Sequence, residues 1–125
     1  MNGNVILDTN IIIYLSKKIL TPEKIFSDNV ICSISIISKI ELLGYPFKNS
    51  LEEKYINEII NALNVIPLND KIVEATIRLR RHNKIKTPDA IVYATAEVMQ
   101  GKLLTNNISD FIKIKGEVII DNPLQ

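Results

Sequence analysis

The stretch NVILDTNIIIYLSKK, residues 4–18, decides how the chain is to be read. Its first part, NVILD, is a short apolar run without polar alternation, the pattern of a strand covered on both faces. TNIIIYLSKK follows at helical spacing from the very next residue. A buried strand that passes straight into a helix is the opening unit of a parallel α/β sheet. Asp8 stands at the junction. Taken alone it is an ordinary helix N-cap, so its role turns on what else reaches the same place.

The alternation repeats along the chain. Pro22 opens a short helical piece over 22–27. VICSI (30–34) reads as a strand and SIISKIELLG (35–44) as a helix, capped by Ser35 and stopped by Gly44 and Pro46. LEEKYINEIINAL (51–63) is a helix, NVIPL (64–68) a strand, and DKIVEATIRLRRHN (70–83) a helix with a basic end that suits its macrodipole. In TPDAIVYATAEVMQG (87–101), Thr87 is the expected N-cap, Pro88 the first helical residue and Gly101 the stop. KLLT (102–105) and EVIID (117–121) complete the strands. The prediction is an α/β fold, one domain over residues 1–125, with a short parallel central sheet flanked by helices.

Composition narrows the function. With 46% hydrophobic and 23% charged residues the chain should fold without a partner. Fifteen basic against fourteen acidic residues leave a net charge of +1, so any nucleic-acid affinity must come from local clustering. Cys32 is the single cysteine, which excludes an internal disulfide and reads as a buried, inert thiol. The longest nearly uncharged stretch, 29–38, is too short to span a bilayer, and the N-terminus lacks the pattern of a secretion signal. The expectation is a soluble cytoplasmic protein.

In open α/β sheets ligands bind beyond the carboxyl ends of the strands. Asp8 ends the first strand, and Thr105 ends the strand that leads into NNISDF, with Asn107 and Asp110. Asp89 lies in the first turn of a helix that is otherwise apolar nearly all round, and Glu41 on the edge of an apolar helical arc. Each acid has an ordinary reading by itself: a cap, a dipole partner, a solvated edge, a turn. Four acids directed to one sheet edge are another matter, because like charges brought together cost stability unless a cation sits among them. Oxygen ligands without histidine or thiolate suit Mg²⁺ or Mn²⁺ and argue against zinc.

Phosphate contacts are expected from RLRRHNKIK (78–86), through Arg78, Arg80, Arg81, Lys84 and Lys86. By helical position Lys71, Arg78, Arg81 and His82 group together. Arg80 falls among Val73, Thr76 and Ile77, which assigns it either a buried pairing or a place at the active site. His82 reads as an exposed helix-end residue and Tyr93 as a packing residue. Tyr14, Tyr45, Tyr55 and Phe47 are too scattered for a base-stacking platform.

ILDTNIIIYL, SIISKIELLG, IKTPDAIVYATA and LLTNNISDF, in this order and spacing, resemble the PIN-domain nucleases, and most closely the VapC-like ribonuclease toxins of toxin–antitoxin pairs. The resemblance implies a three-layer α/β/α fold and a metal-dependent endoribonuclease that hydrolyses RNA phosphodiester bonds with one or two Mg²⁺ or Mn²⁺ ions. It makes Asp8, Glu41, Asp89 and Asp110 the catalytic and metal-binding acids, with Asn10, Thr105 and Asn107 in support. Some PIN proteins carry a further acid in the last motif, where this chain has Asn106 and Asn107; that bears against tight binding of a second metal. The resemblance also implies a homodimer and a small antitoxin that plugs the acidic site, with dimer contacts expected on the helices between 35 and 63, around GYPF. Two other readings compete. One is a catalytically weak PIN fold that binds RNA or protein. The other is a phosphoryl-accepting receiver or an aspartyl phosphatase; the phosphatase would want a second acid where Asn10 stands, and the receiver a second nucleophilic acid at a central strand end, which the sequence does not offer.

Overall fold

The computed structural model describes residues 3–125. Its strands are β1 (Gly3–Leu7), β2 (Val30–Ser35), β3 (Asn64–Ile66), β4 (Lys102–Leu104) and β5 (Ile120–Asp121). All pair in parallel, in the order β3-β2-β1-β4-β5. The helices are α1 (Thr9–Ser16), α2 (Ile36–Leu43), α3 (Ser50–Asn61), α4 (Asp70–His82), α5 (Thr87–Val98) and the single turn α6 (Ile108–Phe111), with a 3₁₀ turn over Pro22–Lys24.

Strand alternation sorts the core into two layers. Val5 and Leu7 of β1, Cys32 and Ile34 of β2 and Leu104 of β4 pack with Ile11, Ile12 and Leu15 of α1 and Ile56 and Ile60 of α3. Ile6 and Leu103 point the other way, into Ile72 and Leu79 of α4, the apolar run of α5, and Phe111. The sheet therefore lies between helices, as a parallel sheet requires. Cys32 is buried and unpaired, and burial pushes its thiol pKa up.

The element ends follow local chemistry, with two departures from expectation. Ser35 caps α2 by accepting from the Ile37 N–H at 3.1 Å, and Asn49 and Asn69 cap α3 and α4 in the same way. Thr87, however, is already helical. Lys86 holds the extended cap position and offers no side-chain acceptor, so Pro88 sits one residue further in than predicted. Gly101 is not the left-handed stop either: that conformation falls on Gln100, at φ 54°. The Gly101 N–H donates to Ala96 O and that of Gln100 to Glu97 O, a Schellman closure. Gly101 is needed for a different reason, since a Cβ there would come within 3.0 Å of Asn4 O. EVIID pairs only through Ile120 and Asp121, and Leu51 of the third predicted helix is exposed.

The strand order sets the site. From β1 the chain builds outward through β2 and β3, then returns to lay β4 on the opposite flank of β1. The carboxyl ends of β1 and β4 therefore flank the point where the order reverses, the crevice in which open α/β sheets bind ligands.

Candidate active site

Asp8 leaves β1 in that crevice. Its backbone N–H donates to Leu104 O at 2.9 Å, which ties it to the end of β4. Its side chain is almost fully buried, at 7% exposure, and caps α1 by accepting from the Thr9 N–H at 2.9 Å. The second carboxylate oxygen accepts from the hydroxyl of Thr105, itself wholly buried, at 2.7 Å. Asp8 is thus a helix cap, its ordinary reading, and also a buried carboxyl group.

Thr105 passes the linkage on. Its Oγ1 accepts from the Asn107 N–H at 2.9 Å, and Asn107 Nδ2 donates to Asp110 Oδ2 at 2.7 Å. One hydroxyl thus connects the first acid to the turn that presents the last. Asn10 lies in the first turn of α1. Its amide nitrogen is 3.5 Å from Asn106 Oδ1, and Asn106 Nδ2 donates to the Tyr14 hydroxyl at 2.6 Å. Asn10 Oδ1 is buried and has no hydrogen-bond partner among the described residues, an acceptor left unmet.

Glu41 approaches from the other side, exposed on α2. Thr9 Oγ1 lies 2.8 Å from Glu41 Oε1 and 2.9 Å from Ser38 Oγ. A hydroxyl has one proton to give, and the carboxylate is the stronger acceptor, so Thr9 donates to Glu41 and accepts from Ser38. Ser38 is fully buried three residues before Glu41 and was not a sequence candidate; its one trace was a small polar residue inside an apolar helix.

Asp89 completes the group at the mouth of α5, half-buried. Burial raises its pKa, and the charges of Asp8, Asp110 and Glu41 raise it further, while Lys86 opposes them. Asp8 is also raised, by burial first and by Glu41 last, against the lowering hydrogen bonds from Thr105 and Thr9. Asp89 is therefore within electrostatic reach of the other three predicted acids, and Asp8 of Glu41. Among the described residues, no three acidic, histidine or cysteine side chains converge closely enough to enclose a metal ion. The acids stand around the crevice, with Glu41 and Asp110 turned toward Thr9 and Asn107.

The raised pKa values carry a pH prediction. Asp8 and Asp89 bind protons in the folded chain at a higher pH than in the unfolded chain, so proton uptake favours the fold. Without divalent ions, these two groups should make stability rise as pH falls from neutral through their raised pKa values. Calorimetric melting in EDTA across that range checks it; a melting temperature that falls monotonically on acidification would show that neither carboxyl is under strain.

The five predicted basic residues separate. Arg80 is exposed, so the expectation of a buried pairing fails and the site role remains: with Lys84 and Lys86 it lines a cavity of about 360 Å³ beside Asp89 and Asp110. Lys113, outside the basic run, joins them. Arg78 is drawn elsewhere, paired with Glu97 beside Gly3, Asn4 and Lys102, at the amino edge of the sheet. Arg81 is exposed and lines neither cavity. His82 is exposed at the end of α4 and Tyr93 is core, both as predicted.

A family model for the PIN domain matches residues 5–117. The chain belongs to the PIN-domain family. Solved structures agree with this PIN domain along nearly its whole length. A chain of a toxin–antitoxin complex from Klebsiella pneumoniae is 30% identical, with 95% of this chain and 97% of that one covered and a TM-score of 0.73. VapBC2 from Rickettsia felis, bound to a promoter DNA fragment, superposes at a TM-score of 0.83 with 23% identity over 95% and 98% of the two chains. VapBC-1 from nontypeable Haemophilus influenzae gives 0.79 at 23% identity over 98% and 99%. Comparison with curated proteins finds no match. PIN domains of the VapC kind are nucleases and generally work with divalent metals. The donors around this crevice, carboxylate and amide oxygens without thiolate or imidazole, are those a hard divalent cation takes.

Proposed function

We propose that this PIN domain is a metal-dependent endoribonuclease, the toxin of a toxin–antitoxin pair, with Asp8, Glu41, Asp89 and Asp110 as its catalytic acids. The observation that carries the reading is a grouping of charge at the strand-order switch: burial first raises the pKa values of Asp8 and Asp89, Glu41 adds to both, and Asp8 and Asp110 add to that of Asp89. Such a group is costly to fold around and is relieved by a divalent ion.

One or two Mg²⁺ or Mn²⁺ ions would supply the charge that activates water and stabilises the oxyanion and leaving group during in-line displacement at phosphorus. The chain's own residues have separable tasks. Asp8, held by Thr9 and Thr105, is the rigid ligand; Asp89 approaches from α5; Glu41 and Asp110, exposed, are the adjustable ones. Thr105 and Asn107 fix the orientation of Asp8 and Asp110, and Asn10, in the first turn of α1, is the further supporting group. A small antitoxin and a second copy of the chain are the proposed protein partners, by likeness to the toxin–antitoxin assemblies. Exposed Ile40, Tyr45 and Leu51, in the segment from 35 to 63, support that surface for the contact. Among the described residues no helix is long and apolar enough to cross a membrane, which is compatible with a cytoplasmic RNA target.

The test is cleavage of a mixed pool of single-stranded and structured RNAs with Mg²⁺ or Mn²⁺, with EDTA, and with Asp89→Asn purified identically. Cutting that needs both metal and Asp89 supports the proposal. Manganese binding by the wild type without any cleavage would favour the competing reading, a PIN fold that binds without turnover.

A further inference from the structure

We infer that the cavity beside Asp89 and Asp110 is a subsite for one backbone phosphate of a single-stranded RNA, flanking the bond presented to the four acids, with Arg80 and Lys113 as its anchors. The inference rests on the ribonuclease reading above and adds the direction in which the strand leaves the site.

Three segments converge there. Arg80 comes from the end of α4, Lys84 and Lys86 from the link to α5, and Lys113 from just beyond α6. These four cations face two carboxylates, Asp89 and Asp110, which leaves a local excess of positive charge. The cations are not consumed by those acids: the ion pairs among the described residues are Arg78 with Glu97 and Lys102 with Asp121, both away from the cavity. Arg80 is also oriented. Its Nε donates to Ile85 O at 3.3 Å, which holds the guanidinium by one edge and leaves its terminal nitrogens for a bidentate phosphate contact.

The other side of the acids has the opposite character. The cavity there, about 230 Å³, shares Thr9 and Glu41 with the site and is lined by Leu42, Tyr45 and Phe47, with Lys17 outnumbered by Glu41 and Glu52. A polyanionic backbone is drawn toward the first cavity and repelled from the second. The strand therefore passes from the acids over Asp89 and Asp110 toward Arg80 and Lys113.

The experiment measures binding of a fluorescein-labelled single-stranded oligoribonucleotide in EDTA across a KCl series, for wild type, Arg80→Ala, Arg80→Lys, Lys113→Ala and a charge control, Lys24→Ala, exposed in the 3₁₀ turn. Arg80→Ala and Lys113→Ala should each weaken binding about five- to tenfold at low salt. Each should also lower the slope of log K against log salt by about 0.7, the loss of one phosphate contact on a single strand. Arg80→Lys should keep the slope and lose part of the affinity, and Lys24→Ala should match wild type. With metal, KM should rise in both alanine variants while kcat holds. A methylphosphonate placed at successive positions beside the cut should weaken wild type at one position only, and Arg80→Ala should be indifferent to it there. Wild-type slopes and KM in both alanine variants, with the wild type cutting RNA, would overturn the subsite alone. A wild type that neither binds nor cuts RNA would overturn the ribonuclease reading and the subsite together.

Discussion

Replacing Asp8 with asparagine is expected to abolish cleavage and, in metal-free buffer at neutral pH, to raise the melting temperature. The two effects have one cause. Asp8 is a carboxylate buried at the end of a hydrophobic strand, and burial raises its pKa against the pull of two hydrogen bonds. Asparagine keeps the shape and is as good an N-cap as aspartate. Its Oδ1 still accepts from the Thr9 N–H, and its amide donates to Thr105 Oγ1 in place of the bond now running the other way. What disappears is the charge, with its desolvation cost and its repulsion from Glu41 and Asp89. A gain of about 3–5 °C corresponds to roughly 1 kcal/mol in a chain of this size, and activity should fall by about a thousandfold or more if the charge holds the metal. The gain should shrink as the pH is lowered and the wild-type carboxyl takes up its own proton. Paired melting curves and cleavage assays test both halves. A variant that melts lower than wild type at neutral pH would show that the carboxylate is there for the helix and not for a ligand.

Thr105→Val should give the largest loss of stability near the site. Valine fills the same fully buried space, so the change isolates the hydroxyl. That hydroxyl donates to Asp8 and accepts from the Asn107 N–H. Its removal leaves two polar groups unmet, at about 1–3 kcal/mol each where they stay dry. The expected cost is about 2–4 kcal/mol at neutral pH, read from urea unfolding. Part of it should return on acidification, because Asp8 without its donor is more easily protonated. Thr105→Ser should stay near wild type. In an Asp8→Asn background the Thr105→Val cost should change, because the two side chains share one bond; strict additivity would show that Thr105 packs without positioning the acid. Cleavage should fall as well, since the same hydroxyl orders the turn carrying Asn107 and Asp110.

The parts of this protein that were legible without coordinates are those set by local chemistry. A short unalternated apolar run followed at once by a helical pattern specifies a buried strand and its connection, and five apolar runs separated by helices specify a parallel sheet. Caps such as Ser35 and Asn69 work within three residues of themselves. Even the acids were locatable, because a charge at the end of an apolar strand or at the mouth of an apolar helix is conspicuous wherever the chain goes next. The departures were local: Gln100 takes the left-handed turn, and the glycine after it stands where the chain passes close to Asn4.

Tertiary structure alone decided which polar groups meet. Asn106 finds Tyr14 across 92 residues, Asp8 finds Thr105 across 97, and Thr9 finds Glu41 across 32. Helical position places Arg78 and Arg80 on different sides of α4, but it cannot say that Glu97 waits for one and the crevice for the other, nor that Lys113 returns beside Asp89. Periodicity fixes the direction of a side chain about its own axis, whereas its partner depends on how separate elements pack, and packing follows from the burial of the whole core.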